Sequence, residues 1–319
     1  MELAIIADEF STAGVSAGIM NQGISMLVPT LLEVGSREQC AKWIGPTIRG
    51  EVIWCQGYSE PGSGSDLAAV KTHAYVDDGR FVINGQKIWT SSAHFADMMF
   101  LLCRTDADKG KHGGLSYLLI PMSAEGIEVR PLITMTGRAE FNETFLTNVR
   151  VPIDQIVMQR GDGWHVANVT LKYERLLLGD PNKLAHRLAR VIELMRRTSL
   201  IGVPTIEIPE YRDRLLKLQG EVLASKFHGL QLLSEQSRDE AQDALPEEAR
   251  IMALHAKAHV SEVGREVARL TTELHGGMGF TDLLGLHYWF KRIAFDRQIL
   301  GAPEYCRREA AKVQGWLVA

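Results

Sequence analysis

The spacing of apolar positions changes period twice along the chain. Residues 1 to about 50 carry helical spacing. Within them Ser36 and Gln39, three apart, form a capping box that opens a helix ending near Arg49-Gly50. From 51 to 160 short apolar runs alternate with the turn signals Asp77-Asp78-Gly79, Asn84-Gly85 and Gly113-Gly114. Asn84-Gly85, flanked by Phe81-Val82-Ile83 and Lys87-Ile88-Trp89, predicts a two-residue hairpin turn. Short strands at this spacing predict an antiparallel barrel or sandwich. From 161 to 319 helical spacing returns, over 163–199, 210–239, 246–275 and 303–317, which predicts a helical bundle. The expected fold class is α+β, in three domains: N-terminal helices over 1–50, a β domain over 51–160 and the bundle over 161–319.

One helix carries an acid on its apolar side. On a helical wheel of residues 163–180, His165, Asn168, Lys172 and Arg175 form a polar stripe. Trp164, Ala167, Leu171, Glu174 and Leu178 form a second stripe at the same spacings, so the carboxylate of Glu174 shares a row with apolar side chains. Apolar surroundings disfavour an ionised carboxyl and raise its pKa, which suits a general base near neutral pH. The competing reading is a buried glutamate paired with an arginine of a neighbouring helix.

Composition narrows the class of function. The chain has 319 residues, is 45% hydrophobic and 23% charged, and has a formal net charge of -4. That balance is ordinary for a globular protein, and it lacks the basic excess that binding a nucleic-acid backbone requires. Cys40, Cys55, Cys103 and Cys306 are scattered, with no metal-ligand or redox-dithiol spacing, and read as small buried hydrophobes. No apolar run approaches a membrane span, and the first residues lack the basic region of a signal peptide. A cytoplasmic location is the expectation. There is no GxGxxG or Walker loop.

Two further segments carry candidate chemistry. Trp54 to Asp66 is rich in glycine and serine around Gln56, Tyr58, Ser59, Gly64 and Ser65, so a ligand can approach the backbone closely. By itself it fits a turn without a ligand better. In Ile88-Trp89-Thr90-Ser91-Ser92 a tryptophan is followed by hydroxyls, a mixture suited to a flat heterocycle, although a strand tryptophan is more often core.

Tyr58-Ser59-Glu60-Pro61-Gly62-Ser63-Gly64-Ser65-Asp66 resembles the flavin-binding signature of the acyl-CoA dehydrogenases. The order of the later segments is also similar: Asn84 to Trp89, Phe141-Asn142-Glu143 to Val151-Pro152, Gly161-Asp162-Gly163-Trp164, Glu174-Arg175, and His275-Gly276-Gly277-Met278-Gly279-Phe280. The resemblance implies N-terminal helices, a middle antiparallel β-barrel and a C-terminal four-helix bundle, with FAD held between subunits of a homo- or hetero-tetramer or dimer. It implies Glu174 as the base, in the branch that carries it on the first bundle helix before an arginine. It implies cofactor contacts at Gln56, Tyr58, Ser59, Gly64, Ser65, Trp89, Thr90, Ser91, Arg196, Glu273, Gly276 and Gly277, and contacts to an acyl-CoA substrate at Ser65, Tyr173 and Arg175. An electron-transferring flavoprotein is the implied acceptor; an oxidase, passing electrons to oxygen, is a weaker reading.

The departures define an alternative. Leu300 stands where many relatives carry the base, leaving Glu304 as a rival that reads better as a helix-start acid. Relatives hold a neighbour's FAD with an Arg followed by Phe-Gly, where this chain has Arg196-Arg197-Thr198-Ser199-Leu200. Glu273 replaces a glutamine and Ala302 a threonine. The segment matching Met1 is normally preceded by further helices, so the N-terminal domain is expected as a remnant. These features fit a non-catalytic or half-site subunit of a heteromeric acyl-CoA dehydrogenase.

Overall fold

A computed structural model describes residues 9, 10, 13, 15, 21–64, 66–178, 183–238, 246–299 and 301–317, with backbone alone at 174–178, 183, 233 and 235–238. Contacts divide the chain into two compact units, Gly18–Leu177 and a second built largely of Leu178–Ala319.

The first unit opens with a π-helical turn, Gly23–Leu27, then α1 (Val28–Val34) and α2 (Arg37–Ile48). The expected capping box is present: the Gln39 N–H donates to Ser36 Oγ at 3.2 Å and the Ser36 N–H to Gln39 Oε1 at 3.1 Å. Strands follow: β1 (Trp54–Gly57), β2 (His73–Asp77), β3 (Arg80–Lys87), β4 (Met98–Arg104), β5 (Leu115–Pro121), β6 (Ile127–Leu132), β7 (Phe141–Pro152) and β8 (Ile156–Val157), with a helical turn α3 (Gly110–Gly113) before β5. They form one eight-stranded sheet in the order β6-β7-β3-β2-β4-β5-β8, with β1 added on β4. Most pairings are antiparallel, as expected. β1 and β2 pair parallel with β4, so the sheet is mixed. Residues 58–97, between β1 and β4, are long enough for the crossover that a parallel pair needs.

Both faces of the central strands are buried. Met98, Phe100 and Leu102 of β4 join Leu115, Tyr117 and Leu119 of β5 in one cluster. Met99, Leu101 and Cys103 join Leu118, Ile120, Phe81, Ile83, Leu146 and Val151 in another, on the opposite face of the strands. Strands buried on both faces read as unbroken apolar runs, and Met98 to Cys103 is one.

The hairpin expected at Asn84-Gly85 lies elsewhere. The β2–β3 turn is Asp78-Gly79, both with positive φ (48° and 67°), the geometry of a type I′ turn. Asn84 and Gly85 sit inside β3, where the register against β7 shifts between Ile83 and Gly85. Gly85 has φ 155°, and a Cβ there would fall 2.4 Å from Thr72 Oγ1. Its glycine serves a close approach within the sheet.

Helix α4 (Gly163–Leu178) completes this unit. Val166 and Ala167 are fully buried in the first cluster, and Trp164 and Leu171 pack against it, while His165 and Asn168 are exposed. The apolar row drawn on the helical wheel is thus the packed face over its described part. Gly163 makes the approach possible: a Cβ there would lie 2.5 Å from the backbone of Ser116 on β5.

The second unit contains α5 (Lys183–Arg197), a hairpin of β9 (Ser199–Leu200) and β10 (Val203–Pro204), α6 (Pro209–Arg238), α7 (Glu247–Leu274), α8 (Leu286–Gln298) and α9 (Pro303–Val313). The stretch expected as continuous over 163–199 is two helices, with 179–182 outside the described residues. Leu184, Leu188, Val191 and Met195 of α5 pack with Leu215 and Val222 of α6 and with Val263, Val267, Leu270 and Leu274 of α7. Helix α8 has no counterpart among the expected helices: Tyr288, Trp289 and Phe290 are exposed while Leu286 and Ile293 are buried, which blurs its period. Among the described residues, no helix is long and apolar enough to cross a membrane. Nor does any group of His, Cys, Asp and Glu side chains there suit a metal ion.

Candidate active site

The glycine-rich segment and the Trp89 segment meet in the first unit. Strand β1 delivers the chain to Tyr58, whose carbonyl accepts a bond from Lys87 Nζ at 3.0 Å. The Ser59 carbonyl accepts from the Ile88 N–H at 2.9 Å. These two bonds join residues 56–60 to residues 87–91. Glu60 to Ser63 form a tight turn, with the Glu60 N–H on the Ser63 carbonyl at 2.8 Å and the reverse bond at 3.0 Å.

Under that turn lies an ion pair that the reading of motifs missed. Lys87 Nζ lies 2.9 Å from Glu60 Oε1, with the lysine side chain fully buried and the glutamate nearly so. The Glu60 carboxylate also accepts the backbone N–H groups of Lys71 (2.7 Å) and Thr72 (2.8 Å). Burial raises the Glu60 carboxyl, but Lys87 and these bonds outweigh it and hold the group below its ordinary range; burial pushes the Lys87 ammonium down. Glu60 thus braces the loop. The available signal was a lysine following the apolar alternation of Phe81 and Ile83 in β3.

Trp89 is 56% exposed, with φ 60°, and meets Phe141 edge-on at 5.8 Å between ring centroids. A non-glycine residue held in the left-handed region marks a backbone constrained by its surroundings. The constraint comes from Asn142, fully buried on β7. The Thr90 N–H donates to the Asn142 carbonyl (3.0 Å), and the Asn142 N–H and Nδ2 both donate to the Thr90 carbonyl (3.1 and 2.8 Å). Asn142 is a positioning residue that its motif alone did not single out. Thr90 is fully buried, and its hydroxyl has no partner among the described residues. Gln56, Ser59 and Ser91 are half-buried, and Gly64 is exposed with open space beside it. An exposed aromatic face, the half-buried hydroxyls of Ser59 and Ser91 and an open small-residue loop suit one edge and one face of a flat heterocycle such as a flavin.

Other candidates fall differently. The Tyr58 ring is buried among Phe100 and Tyr117, so only its backbone is available to a ligand. The Tyr173 hydroxyl donates to Glu33 Oε2 on α1 at 2.8 Å. Ser65 lies outside the described residues, and Glu174 and Arg175 are described by backbone alone, within α4. In the second unit, Arg196 lies 3.9 Å from Glu193. Glu273, in the last turn of α7, pairs with Arg214 and, at 3.0 Å, with Arg269; its bond to Arg214 holds the carboxyl low. Gly276 and Gly277 are exposed just past the end of that helix. Glu304 is a first-turn acid of α9 paired with Arg297, its carboxyl lowered first by the backbone bond at the helix start. All four cysteines are free, and burial pushes the Cys103 thiol up to about 12.

The chain is similar to known proteins along most of its length. Residues 55–149 match the family model for the acyl-CoA dehydrogenase middle domain, and residues 161–314 that for the acyl-CoA dehydrogenase C-terminal domain. Acyl-CoA dehydrogenase IpdE1 of Mycobacterium tuberculosis is 41% identical over 226 residues, 70% of this chain and 57% of that protein. Acyl-CoA dehydrogenase FadE26 of the same organism is 32% identical over 280 residues, 86% of this chain and 68% of that protein. The solved ChsE4-ChsE5 complex from M. tuberculosis gives a TM-score of 0.86 at 28% identity, covering 99% of this chain and 82% of that one. The chain therefore spans under two-thirds of the length of IpdE1. It belongs to the acyl-CoA dehydrogenase family, whose members are FAD-dependent flavoproteins.

Proposed function

We propose that this chain is the catalytic subunit of an FAD-dependent acyl-CoA dehydrogenase, with Glu174 removing the α proton of an acyl thioester to give a trans-2-enoyl-CoA. The observation that carries the reading is the shared core of helix and loop. Helix α4 packs Val166 and Ala167 into the same cluster as Tyr58, and position 174 follows Ala167 by seven residues, two helical turns along the same row. A carboxylate on that row, next to apolar side chains, is suited to accept a proton near neutral pH. FAD, when bound, supplies the acceptor for the β hydride. Trp89 would cover its ring, Ser59 and Ser91 would bond its edges, and Gln56, Gly64, Ser65 and Thr90 would line the loop around it. Tyr173, Arg175 and Ser65 would face the CoA side, and an electron-transferring flavoprotein would take the electrons.

The test is anaerobic bleaching of the flavin, using a panel of straight, branched and ring-bearing acyl-CoAs and any subunit that co-purifies. The wild type is expected to bleach with at least one of them, and Glu174→Gln to keep its flavin and lose the bleaching. Full bleaching by Glu174→Gln overturns the assignment of the base.

A second reading, a half-site subunit in a heteromer, is favoured by a solved neighbour that is itself heteromeric. Glu273 does not decide it, because its carboxylate is paired with Arg214 and Arg269 and its charge is offset. ChsE4-ChsE5 is itself a complex. A colourless isolated chain and a coloured complex would support this reading; a stoichiometric flavin on the isolated chain would sink it.

A further inference from the structure

The dry core beneath α4 contains a seam of hydroxyls. Thr30 of α1, Thr170 of α4 and Tyr117 of β5 are all fully buried. Thr30 Oγ1 lies 3.1 Å from Thr170 Oγ1, and the Tyr117 hydroxyl lies 3.2 Å from the same atom. Each hydroxyl has one hydrogen. Thr170 Oγ1 also lies 3.0 Å from the Val166 carbonyl, and Thr30 Oγ1 2.7 Å from the Met26 carbonyl. Either the Tyr117 or the Thr170 hydroxyl can donate in the bond between them, and in either sense it ties the sheet to the helix. On its other side the Tyr117 ring stacks on Phe100, with centroids 6.1 Å apart, and meets Tyr58 edge-on at 6.2 Å. A single side chain thus touches both the residue preceding Ser59 and the helix turn preceding Glu174.

Area alone does not account for this seam. Phenylalanine and valine would fill the same space, and a buried neutral hydrogen bond adds little net stability. What a hydroxyl adds is direction. Sliding α4 by one residue shifts Thr170 by about 1.5 Å and turns it by about 100°, which breaks the bond to Tyr117, whereas apolar packing tolerates partial slides.

We propose that Tyr117 is a positioning residue: its bond to Thr170 sets the axial and rotational register of α4, and so of position 174, against the loop at Tyr58-Ser59. The inference rests on Glu174 being the base. It assigns to the seam a part in the reaction, separate from stability.

The test compares Tyr117→Phe and Thr170→Val, which remove a hydroxyl at nearly constant volume, with Thr170→Ser, which keeps it. The FAD-loaded protein, with any co-purifying subunit, is used for two measurements. The first is amide hydrogen exchange across residues 163–178. The second is the rate of flavin reduction by whichever acyl-CoA bleaches the wild type fastest. Tyr117→Phe and Thr170→Val are expected to exchange several-fold faster in α4 and to reduce flavin roughly tenfold more slowly with little change in KM, while Thr170→Ser stays near wild type. Unchanged exchange overturns the register role. Faster exchange with an unchanged reduction rate also overturns the proposal, because the bond then serves stability alone. A wild type that no acyl-CoA bleaches removes the reading of Glu174 and the catalytic half of this inference, while the exchange data still decide whether the seam sets the helix register.

Discussion

Lys87 and Glu60 form a buried ion pair, 2.9 Å between Nζ and Oε1, at the base of the Glu60–Ser63 turn. Lys87 also holds the Tyr58 carbonyl at 3.0 Å. Removing one partner leaves an uncompensated charge in a dry site. Lys87→Met is therefore expected to destabilise the protein by about 3–5 kcal/mol, and adding Glu60→Leu to recover part of that loss. Denaturant melts of Lys87→Met, Glu60→Leu and the double variant check this; a double loss equal to the sum of the two single losses would show that the pair is not coupled.

The same pair sets an acid limit. The folded Glu60 carboxyl lies below its ordinary value of 4.5. Between the folded and unfolded values the unfolded chain binds the extra proton, so stability rises with pH. The contribution is complete above the ordinary value and is lost as pH falls through the lower folded one. The midpoint of thermal unfolding, followed from about pH 6 to pH 3, should fall less steeply in Glu60→Gln than in the wild type.

Gly163→Ala tests the seating of α4. The added Cβ would lie 2.5 Å from the Ser116 backbone, which cannot yield as a flexible side chain does. The expected cost is about 1–3 kcal/mol. Flavin reduction should slow as well, because the helix start is pushed off β5. Wild-type kinetics at a lowered melting temperature would show that the helix end carrying Glu174 does not sense its start.

Trp89→Ala should weaken FAD binding. The exposed ring, held beside Phe141, offers area that only a ligand or a partner can cover. A loss of about 1 kcal/mol or somewhat more, a five- to tenfold rise in Kd, is expected from fluorescence titration of the apoprotein. An unchanged Kd would place the flavin elsewhere.

Asn142→Leu should have the larger effect on the same titration, because the side-chain donor to the Thr90 carbonyl is lost from a buried site. The carbonyl left short of a donor costs about 1–3 kcal/mol, and Trp89 loses its fixed setting. A variant that binds FAD as the wild type does would show that Phe141 alone orients the tryptophan.

Much of this was legible in residue order. The capping box at Ser36, the strands around Phe81 and Leu115, the long helices ending near Arg238 and Leu274 and the apolar row of α4 all follow from local periodicity, which depends only on neighbours in the chain. Other features depend on contacts between distant residues. Asn84-Gly85 is a bulge because Gly85 lies against Thr72, not a turn; Glu60 is a brace because Lys87 reaches it from another strand; and Glu273 is neutralised by Arg214 from a different helix. Amino-acid order sets which residues can be helical, extended or apolar. Which buried charge meets which, and which hydroxyl finds an acceptor, is decided only when the chain closes on itself, because burial makes each such group seek its partner in space and not in sequence.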